Sequence, residues 1–283
     1  MTAPVRGRSL VVDLHSHTTC SDGQTPPRDL IRLAKALGID VLAVTDHDTV
    51  EGIPECLEEG RLLGVRVLPG IEVSSRLEGQ DVHVLGLGID HAAPGLLGRL
   101  EKLHASRRAR IGEICDRLRR LGVALEPAEV LAEAGGKSIG RKHVARALFK
   151  KGLVRSLNEA FNRYLGQGSP ANVPANELTP ADAAQLILDY GGFPSLAHPG
   201  FLEDPQLAER ILDSAPIRAI EVFHRYRSST RHLRYLDLAR RRDLRVTGGS
   251  DFHGDEHPHN GSLGSFRCPP EYWKEFEYRL RGL

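Results

Sequence analysis

Histidines and carboxylates recur in this sequence wherever an apolar, strand-like segment ends, and that coincidence constrains the chain more than any other feature. The segments are VVDLHSHTTCSD (His15, His17, Asp22), LAVTDHD (His47), GIEVS (Glu72), DVHVLG (His83), SLAHPG (His198) and GGSDFHG (Asp251, His253). Imidazole and carboxylate together are the ligands of borderline divalent ions such as zinc, manganese and iron. Nine such side chains exceed the needs of one ion and suffice for two or three that share a bridging carboxylate. The fold must bring widely separated strand ends to one place.

The order of elements suits that demand. SLVVDL reads as a buried strand, and Thr25 with Pro26 opens a helix through LIRLAKAL to Gly38. IDVLAV, a helix near IPECLEEGRLL, VRVLP and VHVLGL follow, so strand and helix alternate as in a parallel α/β fold. From residue 95 to 178 the alternation stops: LLGRLEKLHASRRARIGEICDRLRRLG is one long helical pattern. Shorter helices are expected over PAEVLAEAG, RKHVARALFKKG and SLNEAFNRYLG. The rhythm resumes at Thr179, a capping residue before Pro180, and runs through strands FPSLAH, IRAIEVF and LRVTGGSDFH. Seven short apolar strands favour a distorted (β/α)7 barrel built from residues 9–94 and 179–283. Residues 95–178 form a helical insert over its C-terminal face. In such barrels catalytic groups gather at the C-terminal strand ends, where the candidate ligands also fall.

Each candidate has a plain structural reading beside the functional one. His15 and His17, two apart on an extended segment, leave the same face, and burying both without a charged partner is costly. Asp22 in SDG is an ordinary turn residue except for its place five residues after HxH. Glu72 lies among apolar neighbours, where an unpaired carboxylate would be expensive. Asp46 or Asp48 is placed to orient the His47 ring, with helix capping an equal alternative for Asp48. His83 alone would be read as a satisfied core histidine. Asp251 and His253 repeat the two-residue spacing of the first motif. Most remaining histidines, among them His91, His104, His224 and His232, are expected in solvent, whereas His257 and His259 can rim the pocket. Cys20 lies in the ligand loop but is read as a packing residue.

Composition removes several classes of function. Lys plus Arg, 38, nearly cancels Asp plus Glu, 37, so no strong field draws in long nucleic acid or an anionic membrane. No apolar run is long enough to cross a bilayer, and the N-terminal stretch enters a ligand-bearing strand rather than a removable signal. The scattered cysteines, with no CxxC pair, are expected as reduced thiols in the cytoplasm.

Together HxHTxxSDG, TDHD, GxEVS, HVLGxGID, AHPG and GSDFHG, in this order over residues 13 to 254, resemble the polymerase-and-histidinol-phosphatase (PHP) family of metal-dependent phosphoesterases. The resemblance implies a seven-stranded barrel with a trinuclear site. On that pattern His15, His17, Glu72 and Asp251 hold one ion, Glu72, His83 and His198 a second, and Asp22, His47 and His253 a third. Two to three divalent ions are expected, manganese first, with zinc, iron(II) or magnesium as alternatives. HVLGLGID, a long helix and then GRKHVARAL resemble the branch that removes the 3′-phosphate of nucleoside 3′,5′-bisphosphates, some members of which also trim short RNA from the 5′ end.

The expected reaction is in-line attack on phosphorus by a metal-bridging hydroxide, with no covalent enzyme intermediate. Asp22 and His253 are the candidate catalytic groups. In the long helix Leu103, Ile111, Ile114, Leu118 and Leu121 mark the inward face, with Arg107 on that stripe and Arg110 beside it. Arg141 and His143, at a helix start after Ser138 and Gly140, and Arg146 one turn on, complete the candidate phosphate contacts, although each could equally belong to a solvated face. The expected partner is a small nucleotide or short single-stranded RNA, with no membrane and no obligate protein. The alternatives are a phosphatase of another small phosphomonoester, of histidinol-phosphate type, and a metal-dependent C–N hydrolase. The latter often needs a modified lysine, and no lysine ends a strand here. A non-catalytic metal-binding protein is a third class, which the intact ligand set disfavours.

Overall fold

The computed structural model describes residues 9–134, 139–166, 168–174, 178–226, 230–254 and 262–280. Its elements in chain order are β1 (Val12–Asp13), α1 (Pro27–Ala36), β2 (Val41–Val44), α2 (Ile53–Leu63), β3 (Arg66–Leu77) and β4 (Gln80–Leu87). The insert contributes α3 (Pro94–Arg120), α4 (Pro127–Ala134), α5 (Arg141–Lys150), α6 (Leu157–Ala160) and a π-helical turn at Phe161–Leu165. Then come α7 (Pro180–Asp189), β5 (Phe193–Leu196), α8 (Leu207–Ser214), β6 (Ala219–Phe223), α9 (Thr230–Arg241), β7 (Arg245–Gly248) and α10 (Pro270–Leu280). The strands pair in sequence order to form one seven-stranded sheet. A bridge between Ser16 and Phe252, with the Leu14 N–H donating to the Gly248 carbonyl at 3.1 Å, draws its two edges together into a nearly closed barrel.

The sheet is mixed rather than wholly parallel. β3 and β4 form a hairpin, and β4 runs antiparallel to β5 as well. The hairpin turns at Glu78 and Gly79, whose φ values of 51° and 81° match the right-handed twist of the flanking strands. Reversal has a consequence for the site: the early part of β4 lies at the barrel end where the parallel strands finish. His83, paired in register with Ser74, therefore reaches that end from inside a strand.

Apolar residues from both layers build the packing. Ile71, Val84, Leu196, Ile220 and Val222 of the sheet meet Leu96 and Leu100 of α3, Ile187 of α7, Ile211 of α8 and Leu238 of α9. Trp273 and Phe276 of α10 close a second cluster against Val12, Leu14, Val41 and Leu85. A separate cluster holds the insert together, from Ile111, Ile114 and Leu118 to Val144, Leu148, Leu165 and Val173. Thus α3 serves both bodies, its first turns on the barrel and its later turns in the insert. Leu121, expected on the inward face, is exposed because the chain turns after Arg120.

Two helix starts illustrate local control. The Thr179 hydroxyl accepts from the Asp182 N–H at 3.1 Å and Asp182 returns the bond, a capping box at the start of α7. Thr25, by contrast, does not cap α1: Pro26 occupies the cap position without a side-chain bond, and the Thr25 carbonyl accepts from the Thr19 N–H.

Candidate metal centre

The nine expected ligands converge. His15 Nε2 and His17 Nε2 each lie 3.1 Å from Glu72 Oε2 and 3.2 Å from Asp251 Oδ1. A tetrahedral ion with bonds of about 2.1 Å separates its ligand atoms by roughly 3.4 Å, close to these values. The second carboxylate oxygen, Glu72 Oε1, is 3.0 Å from both His83 Nδ1 and His198 Nε2, which are 3.3 Å apart. A third group is looser: Asp22 Oδ1 lies 3.2 Å from His253 Nε2 and 3.9 Å from His47 Nε2 and His17 Nδ1. His47 Nδ1 also lies 3.3 Å from Glu72 Oε2. Glu72 thus stands between all the histidine groups, as a bridging carboxylate would.

Burial tests whether these residues suit a cation. His15 Nε2, both ring nitrogens of His17, His47 Nδ1, Asp22 Oδ1 and Glu72 Oε2 are buried without a hydrogen-bond partner. A single buried polar atom left so costs about 1–3 kcal/mol, and a cluster aimed at a common point is not a packing solution. Divalent ions would take one lone pair from each ring and the carboxylate oxygens together, so the donor set fits them.

Electrostatics agrees. Burial works against a charged His17, yet Asp251 and Glu72 outweigh it and raise its pKa to about 10. Burial likewise opposes charge on His15, but Glu221, Glu72 and Asp251 carry its pKa well above the usual imidazole range. Burial takes His47 the other way, down to about 3. Asp22, Glu72 and Asp251 are held well below ordinary carboxylate values, since the surrounding histidines overcome their burial.

Backbone geometry positions these groups. Asp48, His198 and Asp251 all adopt left-handed φ values of 54°, 27° and 54°, rare for residues with side chains and typical of sites where function overrides local preference. Asp13, buried in β1, accepts from the Ser250 N–H and hydroxyl at 2.9 and 2.6 Å and from the Gly264 N–H at 2.9 Å, tying the HxH strand to the GGSD segment. Asp46 does not orient the His47 ring as expected. It accepts from the Thr18 N–H and hydroxyl and the Ser21 hydroxyl, and so shapes the loop leading to Asp22. Asp48 neither orients that ring nor caps through its side chain. It accepts from the Ser74 N–H and hydroxyl and from the Arg107 guanidinium.

Two site residues escaped the sequence reading. Glu221, fully buried in β6, lies 3.1 Å from His15 Nδ1 and accepts from the His198 N–H at 2.8 Å. A carboxylate inside IRAIEVF carries the same signal that identified Glu72. His224, expected in solvent, is buried just after that strand, with Nε2 3.5 Å from Asp251 Oδ2. His104 is buried too, its ring donating to the Asp48 carbonyl at 2.8 Å. The signal for both was their place on or beside an apolar pattern.

A cavity of about 520 Å³ opens over Asp22, His47 and His83. Its far wall is the insert, with Arg107 and Arg110 from α3 and Arg141, Lys142 and His143 from α5. Arg110 donates to the Val173 carbonyl and Arg141 to the Leu165 carbonyl, bonds that hold each side chain in the wall. His143 Nδ1 accepts from the Gly140 N–H at 3.1 Å, leaving Nε2–H as a donor, and burial with Arg146 nearby lowers its pKa. Arg146 itself is not in the wall. Ser138, His257 and His259 lie outside the described residues.

A family model described as the PHP domain matches residues 13–160, just over half of the chain. The chain belongs to the PHP family. This PHP chain is 34% identical over 251 residues to a 5′-3′ exoribonuclease Rnm of Salmonella typhimurium, covering 87% of the chain and 86% of the relative. It is 32% identical to a 3′,5′-nucleoside bisphosphate phosphatase of Chromobacterium violaceum, covering 95% and 97% of the two chains. A solved structure from Bifidobacterium adolescentis, described as a candidate metal-dependent phosphoesterase, superposes with a TM-score of 0.77 at 30% identity, over 94% of this chain and 95% of that one. Family and relatives agree on a hydrolase acting on phosphoesters, a finding that matches the donor set. Among the described residues of the PHP chain, no helix is long and apolar enough to cross a membrane.

Proposed function

We propose that the chain removes the 3′-phosphate of nucleoside 3′,5′-bisphosphates, with 5′-to-3′ trimming of short single-stranded RNA as a second activity on the same site. The observation that carries this reading is the cavity, in which metal-centre residues Asp22, His47 and His83 face a wall of Arg107, Arg110, Arg141, Lys142 and His143. A substrate with two separated phosphates matches that arrangement, one at the carboxylate–imidazole cluster and one at the guanidinium wall. A volume of about 520 Å³ suits a nucleotide rather than a duplex. The names of the bisphosphate phosphatase and exoribonuclease relatives support the same substrates.

Divalent ions held here, three of them and manganese by preference, would supply activation of the attacking water and neutralisation of charge on the phosphoryl oxygens. The chain's own groups orient the ester and manage protons. His253 Nδ1 donates to the Asp251 carbonyl at 2.9 Å, which leaves the Nε2 lone pair facing Asp22 Oδ1 at 3.2 Å, so that the two would hold the ion nearest the cavity. No covalent intermediate is needed: the Ser74 and Ser75 hydroxyls donate to Asp48 and to the Val82 carbonyl and are not poised as nucleophiles. Four free thiols support a reducing compartment such as the cytoplasm.

The test is phosphate release from adenosine 3′,5′-bisphosphate by purified protein with manganese. The reading expects 5′-AMP and phosphate as products. Hydrolysis confined to other phosphoesters, such as histidinol phosphate, or to amides, would reject it.

A further inference from the structure

We propose that Glu221 is a positioning residue that couples two ion positions, by holding the His15 ring and the His198 backbone with one buried carboxylate. The inference rests on the reading of the site as a divalent-metal centre. Glu221 sits within β6 with no exposed surface, on the side of His15 and His198 away from Glu72. Its Oε1 lies 3.1 Å and its Oε2 3.3 Å from His15 Nδ1, and Oε2 accepts the His198 N–H at 2.8 Å.

Both contacts point a ligand atom forward. A neutral His15 that donates Nδ1–H to Glu221 must carry its lone pair on Nε2, the atom facing Glu72 and Asp251 at 3.1 and 3.2 Å. His198 stands at φ 27° and ψ 52° before Pro199, a residue that disfavours helical backbone at the preceding position. Such a kink persists only where its surroundings impose it, and the bond from its N–H to Glu221 does so. The kink aims His198 Nε2 at Glu72 Oε1, 3.0 Å away. The two rings stack with centroids 5.7 Å apart, so Glu221 behind and Glu72 in front enclose them as a unit.

His15, Glu221 and His224 also cluster closely enough to suggest a further ion. The tautomer argues against that reading. His15 cannot offer Nδ1 as a lone pair while Nε2 serves the Glu72 group, and His224 Nε2 instead approaches Asp251 Oδ2 at 3.5 Å. Within this rear cluster Glu221 is the hydrogen-bonding support.

The experiment is manganese titration of chelator-stripped Glu221→Gln protein, read by calorimetry and elemental analysis without substrate. Glutamine keeps the volume but has one accepting oxygen in place of two, so its NH2 group must oppose either His15 Nδ1–H or the His198 N–H, from neither of which it can accept. The two ions served by His15 and by His198 should weaken together, by about 10- to 100-fold. The ion served by Asp22, His47 and His253 should bind as in the unaltered protein. Unchanged affinity and stoichiometry, or weakening of one ion alone, overturns the proposal. Circular dichroism of the stripped protein checks folding. If the glutamine variant does not fold, Glu221→Asp carries the test, since the shorter carboxylate reaches one partner only and should also weaken manganese; unaltered binding there overturns the proposal equally. Manganese binding by unaltered protein without bisphosphate hydrolysis would sink the proposed activity and leave the role of Glu221 standing.

Discussion

Arg107 in α3 reaches the buried carboxylate of Asp48 at 2.7 Å, tying the helical insert to the loop that carries His47. Asp48 also bonds Ser74, so removing the guanidinium deprives it of one charged partner among several. We expect Arg107→Ala to cost about 1.5–3 kcal/mol of stability, the range for a hydrogen bond to a charged group. It should also raise KM for a bisphosphate more than it lowers kcat. Urea denaturation and steady-state kinetics check both, and an unchanged denaturation midpoint would show that the ion pair contributes nothing.

Asp22 and His253 face each other at 3.2 Å where the metal centre meets the cavity. Substituting either by Ala should release one ion while the Glu72-centred ions remain, and should lower kcat for phosphate release by about 10²-fold or more. Elemental analysis of each variant beside the kinetics decides it; full activity in either would remove these residues from the reaction.

With its pKa raised to about 10, His17 carries a proton at neutral pH in chelator-stripped protein. An arriving ion must displace that proton. Affinity should therefore rise with pH up to about 10, approaching tenfold per unit for each proton released. The sign for stability is opposite. A folded pKa above the unfolded value of about 6.5 means the stripped protein has the full His17 contribution below that pH and loses it as pH climbs through about 10. Manganese titrations at several pH values, paired with thermal melts of stripped protein, test this; an affinity flat with pH would contradict it.

Gly249 packs against β1 so closely that an added Cβ would lie 2.5 Å from both the His15 nitrogen and its Cβ. Backbone cannot swing aside as a side chain can. Gly249→Ala should cost about 1–3 kcal/mol, the usual penalty for overpacking. It should also weaken metal retention, because Asp251 follows two residues later. Thermal denaturation and metal content after dialysis measure the two effects, and a variant that keeps both would show that the strands have slack.

Much of this was legible in order. Donor chemistry is local, so HxH, SDG, TDHD and AHPG marked candidate ligand side chains that the fold then gathers in groups around Glu72 and Asp22. Helical periodicity in α3 and the Thr179 cap are equally local, and both stand where expected. Less legible was β4, whose pattern reads the same whether the strand runs with its neighbours or against them. Its direction follows from the Glu78–Gly79 turn and explains how His83 reaches the site from inside a strand.

From the sequence alone came the candidate ion-binding side chains and the strand rhythm that carries them, because imidazole, carboxylate and periodicity are properties of short segments. Only the tertiary structure decided what stands behind those atoms: Glu221 supporting His15 and His198, His224 beside Asp251, and Asp48 holding Arg107 rather than the His47 ring. Such pairings join residues as many as 206 positions apart. They arise only when the sheet closes and burial forces each polar group to find whatever partner the closed barrel brings within reach.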